Sequence, residues 1–99
     1  MTNLKIATVQ SFSMGFFRDG SLAVWFHLDY HGHGQNFAGL RIRKDDVPRF
    51  MRECPKVAGV NSIENLIGRI LRVEQNEQGE ISRLAHWHKD SIQYERERV

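Results

Sequence analysis

The chain has little with which to cross-link itself. Cys54 is the single cysteine among 99 residues, so neither an internal disulfide nor a C-x-x-C zinc pair is available. Its helical spacing from Phe50 marks it as a core residue, not a reactive thiol. No apolar run approaches the roughly 20 residues that span a bilayer. The opening M-T-N-L-K-I-A-T lacks the basic-then-apolar order of a secretory leader, so the expected location is cytoplasmic, away from membranes. Charge of one sign is scarce too: 14 Lys and Arg against 12 Asp and Glu leave +2. The basic residues are spread, many beside an acidic one, without the clustered face of a duplex binder. Linkers, internal repeats and low-complexity segments are missing, and the length suits one domain over residues 1–99.

What is present concentrates in residues 22–39, L-A-V-W-F-H-L-D-Y-H-G-H-G-Q-N-F-A-G. Residues 21–30 alternate strictly. Leu22, Val24, Phe26, Leu28 and Tyr30 share one strand face, and Ser21, Ala23, Trp25, His27 and Asp29 share the other. The apolar row predicts a core face, and the opposite row predicts a face turned to water or to a site. Before it, residues 4–17 hold β-formers in imperfect alternation, with Met14 and Gly15 as the expected bulge. Asp19-Gly20 then predicts a hairpin turn, because a turn matching strand twist needs positive φ. Residues 35–42 read as a third strand. Gly39 inside it suggests a close neighbour or a locally weak strand.

Asp45-Asp46-Val47-Pro48 reads as an Asp-capped helix start with proline in the first turn. Val47, Phe50, Met51 and Cys54 fall on one helical face, and Pro55 limits the extension. Gly59 suits a chain reversal. Ser62 is placed to cap a short helical turn over residues 63–67 that Gly68 stops. Residues 69–75 and 80–89 form a second hairpin around a polar turn, and residues 95–99 are expected to fray. The predicted class is α+β: a mostly antiparallel five-stranded sheet in the order β-β-β-α-(short α)-β-β, with the helix packed on one face.

Several chemistries are open to these residues. His27, Asp29 and His31 on one strand, with His86 and His88 two apart on the last, would suit a divalent metal if the two strands were neighbours, giving a His-based metalloenzyme. No G-x-S-x-G elbow or helical H-E-x-x-H accompanies them. The glycines at residues 32–39 precede a strand, whereas a dinucleotide fingerprint opens a helix; a Gly-rich turn still offers N–H groups to an anion or nucleotide. Trp25, Phe37 and Trp87, with Arg41, Arg43, Arg69 and Arg72, fit a single-stranded nucleic-acid platform, or the aromatics pack in the core. A tryptophan beside His and Asp also fits a protein interface anchor. The predicted contact surface is Trp25, His27, Asp29, His31, His33, Gln35, Asn36 and Phe37. No cofactor is expected.

The same stretch resembles a motif in a family of small phage and prophage proteins, in which a strand ends in an aromatic residue and a Gly-rich turn leads into G-Q-x-F-x-G. The matching positions are Trp25, Leu28, Tyr30, Gly32, Gly34, Gln35, Phe37 and Gly39; His31, His33 and Asn36 depart from it. Leu66, Gly68, Arg69, Arg72 and Val73 resemble a second block, and His86 in L-A-H-W a third. The resemblance covers about half the chain and brings no catalytic residues. It implies phage origin and a small accessory role. Together with the lack of a catalytic motif or cofactor fingerprint, it leads to the expectation of a protein that acts by binding, without catalysis, on a host protein complex in the bacterial cytoplasm, as inhibitors of bacterial defence do.

Overall fold

A computed structural model describes residues 4–32, 34–89 and 91–95. The chain runs β1 (Lys5–Phe16), β2 (Leu22–Tyr30), β3 (Gly34–Ile42), a 3-10 turn (Lys44–Asp46), α1 (Val47–Val57), a second 3-10 turn (Ile63–Leu66), β4 (Ile70–Gln75), β5 (Ile81–His86) and β6 (Gln93–Glu95). All strands join one antiparallel sheet in the order β3-β2-β1-β4-β5-β6. The α+β class therefore holds, with six strands instead of five. The sixth was hidden because its three residues bury one side chain, Tyr94, too short a run for a period of two to show. Glu95 belongs to that strand, and the remainder of the expected frayed tail lies outside the described residues.

The alternation of β2 survives intact: Leu22, Val24, Phe26, Leu28 and Tyr30 are all buried. In β1 the irregularity sits at Gln10, between Val9 and Ser11, and not at Met14-Gly15. One extra residue there reverses the parity of the strand. Ala7 and Val9 face inward before it, and Phe12, Met14 and Phe16 follow the inward row of β2 after it. The β1–β2 connection closes through Phe17 N–H to Ser21 O (2.8 Å) and Gly20 N–H to Phe17 O (3.0 Å). Gly20 alone in this turn has positive φ, at 89°. Asp19 instead accepts the N–H (2.8 Å) and hydroxyl (2.6 Å) of Ser21, and these hydrogen bonds hold its carboxyl below the ordinary range.

The sheet curls until the free edge of β3 meets the start of β5, where Gly39 and Glu80 form a parallel bridge. The hollow is filled by Val9, Phe26, Leu28, Leu40, Leu71, Leu84 and Tyr94, and closed by Phe50, Cys54 and Val57 of α1 with Ile63 and Leu66. Burial pushes the Cys54 thiol up to about 12, so the side chain acts as a small apolar filler. Asp46 precedes α1 in helical conformation and makes no side-chain cap, contrary to the sequence reading. Its carboxylate accepts Arg49 Nε–H (2.7 Å) and Nη2–H (3.0 Å) and the Tyr94 hydroxyl (3.0 Å), fastening α1 to β6. The helix runs two residues past Pro55, and Gly59 (φ 71°) reverses the chain as expected. Ser62 likewise gives no side-chain cap; its carbonyl accepts Asn65 N–H at 3.1 Å.

Candidate functional site

Trp25, His27, Asp29, Gln35 and Phe37 lie on the convex side of β2 and β3. Cross-strand register sets them in rows: Ala23 beside Arg41, Trp25 beside Gly39, His27 beside Phe37, and Asp29 beside Gln35. Trp25 is 54% exposed and Phe37 68%, so neither packs in the core. A bare glycine is what allows the Trp25 ring to lie flat. A Cβ on Gly39 would stand 3.0 Å from its Cζ3, tight enough that the ring would have to shift by a few tenths of an ångström. This close approach, not a weak strand, explains the glycine. Phe37 stacks on the His27 ring at 4.5 Å and 15°, and His27 Nε2 meets Gln35 Oε1 at 3.2 Å. At the near end, the Arg41 guanidinium sits 4.3 Å from the Phe17 ring centroid and 3.4 Å from Asp19.

A groove of about 480 Å³ runs beside these rows. Phe17, Trp25, Phe37, Gly39 and Arg41 form one wall, and residues 78–80 of the β4–β5 turn form part of the other. Those turn residues were beyond sequence reasoning, because only the curl of the sheet brings them to β3. Phe17 was missed because its outward direction depends on the parity reversal at Gln10. Asn36 points to the opposite face of β3 from Phe37, yet it is exposed and borders the same groove.

The histidines do not converge. Strands β1 and β4 separate β2 from β5, a gap of about 14 Å at ordinary strand spacing. His31 lies past the end of β2 with its Nε2 2.8 Å from Thr8 Oγ1. Asp29 faces Gln10 Nε2 at 3.5 Å. His86 ends β5, and His88 falls in the bend beyond it, so the two do not share a strand. Nδ1 of His86 accepts the backbone N–H of His88 and of Lys89, both at 3.2 Å. Desolvation, then the charges of His88 and Lys89, push the His86 imidazole below its usual pKa. No group of three His, Cys, Asp or Glu that could hold a metal exists among the described residues, so His27, Asp29, His31, His86 and His88 do not assemble into a metal site. His33 lies outside the described residues. Trp87 is exposed against His88, away from the β2–β3 rows.

No protein-family model matches the chain, and comparison with curated proteins and with solved structures brings no significant match. No helix among the described residues is long and apolar enough to cross a membrane.

Proposed function

We propose that this protein is a binding module without catalytic function, and that the convex face of β2 and β3 is where it holds a protein partner. One observation carries this reading. Two large aromatic side chains, Trp25 and Phe37, stand more than half exposed in adjacent rows, each pinned from below or beside by a specific neighbour. Exposed, pre-positioned aromatics with a polar surround are the usual anchors of protein recognition. Burying them costs little side-chain entropy, since Gly39 and His27 already restrict them.

The charges on this face favour protein over nucleic acid. A strand of phosphates needs unpaired cations along the groove. Here Arg41 is held by Asp19, and Asp29 adds a negative group three rows from it. The motif resemblance to small phage proteins, read from the sequence alone, is the support for the partner class proposed: a host protein complex, engaged as an inhibitor of bacterial defence would engage it.

The test is capture of a bacterial host complex on immobilised protein, followed by Trp25→Ala with Phe37→Ala. The double substitution should abolish capture while the melting temperature stays within a few degrees. Capture unaffected by the double substitution overturns the site. Tight binding of single-stranded oligonucleotides that falls steeply with salt would replace the reading with the nucleic-acid one.

A further inference from the structure

Strand β1 is longer than its second partner. Residues Lys5 to Thr8 pair with β4, and Val9 exchanges its last bonds with Arg69 O (3.0 Å) and Gly68 N–H (2.7 Å). The bulge at Gln10 follows, and from there to Phe16 only β2 flanks the strand among the described residues. Phe17 N–H points at Ser21, so alternation directs the backbone N–H and C=O of Phe16, Met14 and Phe12 to the open side. Natural proteins blunt such an edge with a bulge, which here lies at Gln10 ahead of the open stretch, or with charge or proline. Residues 6–17 contain neither charge nor proline. Met14 and Phe16 are exposed on it, Phe16 to 70%.

The open segment reads F-S-M-G-F, a palindrome in its apolar positions. We propose that residues 12–16 of β1 pair antiparallel with the same residues of a second copy, about a two-fold axis at Met14. In that register Met14 faces Met14 of the second copy, and Phe12 faces Phe16. All three residues present their backbone groups to the open side, so every facing pair exchanges both N–H···O bonds. Their side chains lie on one face of the joined sheet, where the half-buried Phe12 of each copy covers the exposed Phe16 of the other. Isologous contact demands this self-complementarity. A second copy fits better than a charged partner, since the segment has no charge for such a partner to read and none to repel itself. The contact is about 17 Å long. A strip of that length and about 10 Å wide falls well short of the roughly 800 Å² per partner of a standard stable interface, so the dimer is concentration-dependent.

The pairing is independent of the β2–β3 face. Sedimentation of the whole protein across a concentration series should show a monomer–dimer equilibrium. Met14→Lys or Met14→Glu alone should weaken it about tenfold, because cross-strand pairs are sensitive to like charges directly opposite. An equimolar mixture of the two variants should recover the dimer, as expected when the two position-14 side chains face each other across the joint. Phe16→Lys, at a solvent-exposed position, should also weaken it and leaves the core untouched. Trp25→Ala should change nothing here. A protein monomeric at all concentrations, a mixture no better than either variant alone, or a dimer lost on Trp25→Ala would each overturn the proposal.

Discussion

Strand β2 has two faces of equal regularity and opposite fate. Its inner row of Leu22, Val24, Phe26, Leu28 and Tyr30 is sealed by the curl of the sheet and by α1. Its outer row runs Ala23, Trp25, His27 and Asp29, and Trp25 stays open to solvent although its apolar surface exceeds that of any inner residue. Hydrophobicity alone did not choose the side. The inner row wins because it is unbroken and can be covered by neighbouring elements. The outer row interleaves aromatic with polar groups, and burying it would strand Asp29 without a charged partner. A large apolar side chain left outside, over a glycine that makes room for it, is what a contact surface requires.

The sharpest way to break this contrast is to cut both rows. Phe26→Ala should cost about 3–5 kcal/mol in chemical denaturation, since a fully buried ring packed near Phe12 leaves a cavity behind. If it is tolerated as a surface change, the inner row is not the core.

The clamp over the inner row comes next. Asp46→Ala should cost about 1–3 kcal/mol, because it leaves Arg49 and the Tyr94 hydroxyl without their shared acceptor. The hydrogen bonds from Arg49 lower the Asp46 pKa in the folded state. The stability from its carboxylate is therefore complete above the ordinary aspartate range and is lost as pH falls through the depressed value. Asp46→Asn should flatten that acid limb of the melting curve. An unchanged limb would show that other carboxylates set it.

On the outer row, Gly39→Val should displace the Trp25 ring and weaken partner capture, while stability shifts by no more than about 1 kcal/mol, the span of strand propensities. Capture at full strength would mean that the ring's flat seat is irrelevant. The smallest expected effect is on folding by Trp25→Ala with His27→Ala. About 0.5 kcal/mol or less is the scale for surface substitutions, measured by thermal unfolding with capture assayed in parallel. Loss of folding would place that row in the interior and remove the site.

Much of this fold is legible in the sequence. The β2 pattern, the turn at Gly20, the third strand, the helix with Pro48 in its first turn and the second hairpin all rest on neighbours within a few positions. The errors share a cause. Gln10 carries no bulge signature, yet it inverts the facing of everything after it in β1. Gln93–Glu95 became a strand because β5 offered an edge and Tyr94 a core contact, neither visible in three residues. The Asp46 cap failed because a helical turn already precedes it and Arg49 claims its carboxylate. Of the candidate site, Trp25, His27 and Phe37 do come together, whereas the His86 and His88 end stands across two intervening strands.

Sequence by itself determined which side chains share a face along β2, because a two-residue period is a local property of extended backbone. It also determined that residues 6–17 carry no charge and that the apolar positions of residues 12–16 mirror about Met14. Only the tertiary structure decided which strands became neighbours, that Trp25 would rest on Gly39, that residues 78–80 would wall the groove, and that β1 would outrun β4. Those outcomes depend on strand order and sheet curl, which arise from contacts far apart in the chain and leave no periodic trace within it.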